Sequence, residues 1–171
     1  MLSVLIETHN DEERLARTLA ALVGGVVEGA VREVIVCDRG SVDQTHRVAE
    51  HAGCHFLAEG GVATGIRQAK SEWLLLLEPG ARPDDNWVEA VLDHVGQSTM
   101  AARFARSKNS RQPFFVRVLS GRRPLRDGLV ITKRQALSLA RGEGSAAAIA
   151  RAASARRLAA GIVAAPAPRK A

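Results

Sequence analysis

The chain has 171 residues, of which 46% are hydrophobic and 4% aromatic, and it contains no Tyr. That length and apolar share suit one domain with a buried core, and the scarcity of rings excludes a stacking platform for single-stranded nucleic acid. The net charge of +6 conceals an imbalance, with 8 Lys and Arg against 16 Asp and Glu in residues 1–100 but 16 against 2 in residues 101–171. Compositional bias accounts for Arg outnumbering Lys 20 to 4, but not for the missing acids, so the second part is expected to face something anionic. The two cysteines, Cys37 and Cys54, read as small buried hydrophobes of a reducing compartment, not as a disulfide or zinc framework. MLSVLIETHNDEE has no basic region before its short apolar run, so no signal peptide is expected. No apolar stretch approaches the roughly 20 residues of a bilayer span, and a cytoplasmic protein is expected.

LSVLIE (2–7) is a continuous apolar run of strand length. In THNDEE after it, Asn10 and Glu13 have the spacing of a capping box, for a helix that carries Leu15, Leu19 and Leu22 on one face and ends near Gly24-Gly25. EVIVCD (33–38) reads as the second strand, and RGSVDQT as the start of a second helix with Ser41 as cap and Gln44 answering it. CHFLA (54–58) and VATGIRQAK (62–70) make a third strand and helix. WLLLLE (73–78) and DDNWVEAVLDHV (84–95) make the fourth pair, with Asp84 and Asp85 opening the helix. Non-alternating apolar strands, each followed by a helix, imply a mainly parallel sheet covered on both faces. Ligands of such sheets bind beyond the carboxyl ends of the strands.

After residue 100 the pattern changes. MAARFAR (100–106) and FFVRVL (114–119) alternate like strands with one exposed face, joined and followed by basic loops. GLVITK (128–133) reads as a strand and RQALSLAR as a helix. SAAAIARAASARRLAA (145–160) is helix-prone, and APAPRKA is expected to fray. No linker separates domains, so residues 1–171 are taken as one, with a nucleotide-binding half (1–98) and a basic acceptor-side half (99–171).

Glu7, Asp38 and Glu78 each end a strand at one edge of this sheet. Charged residues commonly mark strand ends; three on neighbouring strands favour a site. The segments SVLIETHNDEERLARTLAAL, EVIVCDRGSVDQTHRVAEHAG and GIRQAKSEWLLLLEPGARPDDNW resemble, in order and spacing, the nucleotide-binding half of a family 2 glycosyltransferase. That resemblance covers about residues 2–95 and implies an α/β, GT-A-like fold. It also implies transfer of a sugar from a nucleotide donor, UDP- or GDP-linked, to an acceptor hydroxyl that can be lipid-linked.

By the same resemblance, Thr8 and Asp38 would hold the base or ribose, while Arg39 replaces the second acid of the family's Asp-Asp pair. His9 is a candidate ligand whose alternative is simple solvation. Glu78 takes the first position of the Asp-x-Asp motif, toward ribose. Gly80 takes the second, where the family places the acid that holds Mn²⁺ or Mg²⁺, so the carboxylate set of a conventional metal site is incomplete. Val62-Ala63-Thr64-Gly65 lacks the Arg that the family often carries before the fourth strand. PLRDGLVITKRQAL (124–137) resembles a later family segment and makes Asp127 the candidate general base, its alternative being a turn residue before Gly128. Arg122, Arg123 and Arg126 can neutralise a diphosphate without metal.

Two readings of function stay open: an active glycosyltransferase, or a GT-A-like domain without turnover that binds nucleotide or a regulatory partner. Arg103, Arg106, Arg111, Arg117 and Arg122, with Arg123 and Arg126, suggest an anionic membrane surface and a peripheral location on its inner face. The alternative is a solvated basic face. Nucleic acid is the rival anion, but no binding motif accompanies the patch. A homodimer would supply acceptor-side elements that so short a chain lacks.

Overall fold

The computed structural model describes residues 1–108, 123–140 and 144–166. Its strands are β1 (Leu2–Thr8), β2 (Val31–Asp38), β3 (His55–Leu57), β4 (Trp73–Leu77), β5 (Arg82–Pro83), β6 (Ala101–Arg106), β7 (Leu129–Thr132) and β8 (Ala155–Val163). Helices α1 (Glu12–Val27), α2 (Thr45–His51), α3 (Gly61–Gln68), α4 (Trp87–Gln97), α5 (Lys133–Leu139) and α6 (Ala146–Ala152) connect them. All eight strands join one sheet in the order β3-β2-β1-β4-β7-β6-β8-β5, so both halves of the chain share it. The first four are parallel. β7 returns antiparallel to β4, and β8 lies parallel to β6 and antiparallel to β5.

The four leucines of β4 follow from this burial on both faces. Successive side chains of a strand point to opposite faces, so Leu75 and Leu77 join Val4, Ile6, Leu15 and Trp87 in one core. Leu74 and Leu76 join Leu5, Ile35, Ile66 and Ile149 in the other. A continuous apolar run is what a strand buried on both faces requires. Among the described residues no helix is long and apolar enough to cross a membrane.

Several local expectations give way to tertiary packing. α1 does not end at Gly24-Gly25 but runs on to Val27, because Gly25 lies against the Trp87 ring, in space that a Cβ would fill. Its turn comes at Gly29, with φ of 71°. Neither Asn10 nor Ser41 is a helix cap: the caps are Asp11 and Gln44, without side-chain cap bonds. The expected helix over 145–160 stops at Ala152, and 155–163 is strand β8. Leu158, Ala160 and Ile162 alternate into the core there, and pairing with β6 and β5 outweighs the helix preference of alanine. By contrast, α5 carries the full capping box between Thr132 and Gln135. The segment 114–119 lies outside the described residues.

Candidate functional site

The register of the parallel strands sets the site's first group. Thr8 stands directly across from Asp38, and Ile6 across from Leu77, so β1, β2 and β4 end together and Glu78 follows at the same edge. Thr8 is buried and donates its hydroxyl to Asp38 Oδ1 at 2.9 Å. Ser41 adds its hydroxyl to Oδ1 at 2.5 Å and its N–H to Oδ2 at 2.7 Å. Burial alone would push the Asp38 carboxyl up, but the Ser41 hydroxyl and N–H, the Thr8 hydroxyl and the Gly40 N–H outweigh it and hold it below its ordinary value. Most acceptor capacity of Asp38 therefore serves the turn that follows it.

Asn10, in the left-handed region at φ 53°, staples the two loops together. Its N–H donates to Ser41 Oγ at 2.8 Å, and its Oδ1 accepts the Val42 N–H at 2.8 Å. His9 Nδ1 lies 3.0 Å from the Arg39 carbonyl, which calls for the proton on that nitrogen. His9 is thereby a loop tie.

Beside this rim lies a cavity of about 370 Å³ lined by Glu7, Asp38, Arg39, Gly60, Gly61 and Ser145, among others. Glu7 faces it from β1. One oxygen accepts the Ala146 N–H at 3.0 Å, closing the start of α6, and the other lies 3.7 Å from Arg39 Nε. Gly60 and Gly61 have φ of 86° and 59°, a left-handed pair that sends the chain into α3. The first turn of α3 lines the cavity, and Gly65 lets that helix sit close on Cys37 and Leu5. The double glycine was the signal available in the sequence for this wall; Ser145, from the far end of the chain, had none.

Glu78 belongs to a second group. Its Oε2 lies 3.2 Å from Arg123 Nη1, an ion pair without hydrogen-bond geometry, with both side chains mostly buried. Arg123 also donates to the carbonyls of Pro166, at 3.1 Å, and Ala165, at 2.5 Å. Arg14 donates to the same Pro166 carbonyl at 3.0 Å and to Asp11 at 3.1 Å. Burial pushes the Glu78 carboxyl up; Arg123, Arg14 and Arg126 pull it back, and Asp127 adds to the rise. Burial likewise pulls the Arg123 guanidinium down, against the pull of Glu78. Ala165, expected in a frayed tail, is fully buried.

Thr18 fixes the turn after Glu78, accepting the Gly80 N–H at 2.8 Å and donating to the Ala81 carbonyl at 2.9 Å. Asp127 stands just before Gly128, whose φ is 58°, and its backbone carbonyl accepts the Phe104 N–H at 3.0 Å. The structure thus gathers Thr8 with Asp38, and Glu78 with Arg123 and Asp127, as two groups along one sheet edge. Arg122 lies outside the described residues, as do Arg111 and Arg117. Arg103 turns inward, onto the carbonyls of Pro124 and Ala150, and so leaves the expected basic face. Asp84 and Asp85 precede α4, and the Asp84 carbonyl accepts the Trp87 N–H at 3.0 Å.

The divalent ion implied by the Asp-x-Asp motif does not fit these residues. Glu78 is engaged by Arg123, Gly80 contributes no side chain, and the described residues include no group of three or more His, Cys, Asp or Glu able to hold a metal.

The same architecture occurs in solved structures of glucosyl-3-phosphoglycerate synthase from Mycobacterium tuberculosis. One aligns with a TM-score of 0.68 at 15% identity, covering 100% of this chain and 73% of that one. Its complex with UDP gives 0.67 at 17% identity, covering 99% and 73%. The complex with Mn²⁺, UDP-glucose and phosphoglyceric acid gives 0.65 at 17% identity, covering 99% and 73%. A search of curated protein sequences finds no match. The sequence profile of glycosyl transferase family 2 matches residues 3–156, so the chain belongs to that family and has its GT-A fold.

Proposed function

We propose that the protein transfers a glycosyl group from a nucleotide sugar to an acceptor hydroxyl. The observation that carries this reading is the cavity of about 370 Å³ at the carboxyl ends of β1, β2 and β3, walled by Asp38, Arg39 and the first turn of α3. Its size lies near the lower end for small-molecule sites, roughly 300–1,000 Å³, and suits a nucleoside more than a whole donor. The base and ribose occupy it, with Thr8 and Asp38 shaping the rim and Glu7 offering a carboxylate. The diphosphate then points along the sheet edge toward Arg123 and Glu78. Asp127, whose charge is felt by Glu78, takes the proton of the acceptor hydroxyl as it attacks. The solved relatives with UDP or UDP-glucose support a uridine donor.

Isothermal titration with UDP-glucose, UDP and GDP, each with and without Mn²⁺, tests the reading together with an assay of sugar release. Absence of binding under every condition refutes it.

A second reading, a nucleotide-binding domain without turnover, is favoured by the same side chains. Asp38 spends its acceptors on Thr8 and Ser41, and Glu78 is paired with Arg123. Turnover abolished by Glu78→Ala rules that reading out. A lipid-linked acceptor at an anionic membrane surface predicts flotation with anionic but not neutral vesicles. Self-association into a homodimer is read by sedimentation.

A further inference from the structure

Two guanidinium groups meet at the end of β4, and besides the carboxylates of Asp11 and Glu78 they hold the chain's own carbonyls. Arg123 donates through both Nη atoms to Ala165 and Pro166, and Arg14 through Nη2 to Pro166. Guanidinium forks suit the oxygens of phosphate, with two parallel N–H donors per anion, better than single neutral carbonyls. A second observation points the same way. Arg14 Nε and Arg123 Nε are both buried without an acceptor among the described residues. Buried charged donors are rarely left so. An anion with several acceptor oxygens can satisfy Nε and Nη of one guanidinium together, which a lone carbonyl cannot.

The position where the family's second acid would stand is closed by the same elements. A Cβ built on Gly80 would lie 3.2 Å from Pro166 Cδ, 3.4 Å from Ala165 Cβ and 3.4 Å from Arg14 Nε.

We propose that Arg14 and Arg123 form a metal-independent site for the diphosphate of a nucleoside diphosphate, and that the segment Ala164–Pro166 is its internal occupant, displaced when the phosphates bind. This deepens the proposed donor site and rests on that reading for the nucleoside, but not for the phosphate. The segment acts as a strap: its carbonyls neutralise nothing, so a ligand carrying negative charge competes with it well, and an uncharged nucleoside does not move it.

The experiment measures binding of uridine, UDP and inorganic pyrophosphate, each in EDTA and again with Mn²⁺, to the unaltered chain and to a chain ending at Val163. The shortened chain is expected to bind pyrophosphate and UDP at least about tenfold more tightly, with uridine unchanged. Arg14→Gln in that chain is expected to remove most of the gain. Equal affinity of the two chains for pyrophosphate, or binding that arises only with Mn²⁺, overturns the proposal. Uridine binding without any pyrophosphate binding overturns it too while leaving the nucleoside cavity standing. Pyrophosphate behaving as expected with no uridine binding supports the phosphate site and refutes the donor reading. Should the shortened chain fail to fold, carboxypeptidase digestion of the unaltered chain decides. Pyrophosphate is expected to speed trimming past residue 166 severalfold, and an unchanged rate overturns the strap.

Discussion

A carboxylate introduced by Gly80→Asp is expected to weaken the fold without creating a metal site. The cost has two sources. Gly80 holds φ at 94°, in the left-handed region that L residues avoid, at about 1–2 kcal/mol for a side chain placed there. The new Cβ would also sit 3.2 Å from Pro166 Cδ, which must yield by a few tenths of an ångström, and 3.4 Å from Ala165 Cβ and Arg14 Nε, at the edge of ordinary contact. Together the two give about 2 kcal/mol for Gly80→Ala, or about 4–8 °C in Tm for a chain of this length. Gly80→Asp is expected to lose somewhat less, because its carboxylate meets the unpaired Arg14 Nε.

Urea unfolding followed by fluorescence measures this directly, since Trp87 is buried in the core. In a chain ending at Val163 the contacts with Pro166 and Ala165 disappear while the backbone contribution and the Arg14 contact persist, so the difference between the two backgrounds isolates the cost of the strap. Titration of Gly80→Asp with Mn²⁺ should show no binding, because the added acid points into Pro166 and Arg14, not toward a free carboxylate. Unfolding energies for both variants within about 0.5 kcal/mol of the unaltered chain, or micromolar Mn²⁺ affinity, would refute the reasoning.

Thr8→Val removes a buried donor to Asp38 and is expected to cost about 1–3 kcal/mol at neutral pH. The Asp38 carboxyl is held below its ordinary 3.8, so its contribution is present above that value and fades as pH falls through the folded one; the two unfolding curves should converge there. Gly25→Ala places a methyl against the Trp87 ring. Overpacking of about 1–3 kcal/mol is set against a helix gain of up to about 1 kcal/mol, so urea titration should show net loss. Burial pushes the Cys37 thiol up to about 12 and the Cys54 thiol to about 11. Iodoacetamide at mildly alkaline pH should spare Cys37 most in the folded chain and label both in concentrated guanidinium, as mass spectrometry reports.

What could be read in advance divides along the range over which each signal acts. The four leucines of β4, the apolar runs of β1 and β2 and the leucines of α1 are local patterns, and they carry the parallel half of the sheet. Once β1 and β2 lie side by side, Thr8 meets Asp38 by register alone, so that contact too was latent in residues 2–38. Residues 155–163 escaped because Ala and Arg state no period of their own; only the slot between β6 and β5 makes Leu158, Ala160 and Ile162 a strand face. The Glu78 group is hidden more deeply. Arg123 could be picked out as a cation, but besides Glu78 and Asp11 the atoms that hold it and Arg14 are carbonyls of Ala165 and Pro166, and every residue type owns a carbonyl. From residue types alone Gly80 is only a position without charge, whereas in the fold its missing side chain leaves the space that the returning chain occupies. The glycine at position 80 and the burial of Ala164 and Ala165 are two sides of one packing arrangement, and a change at either is expected to be felt at the other.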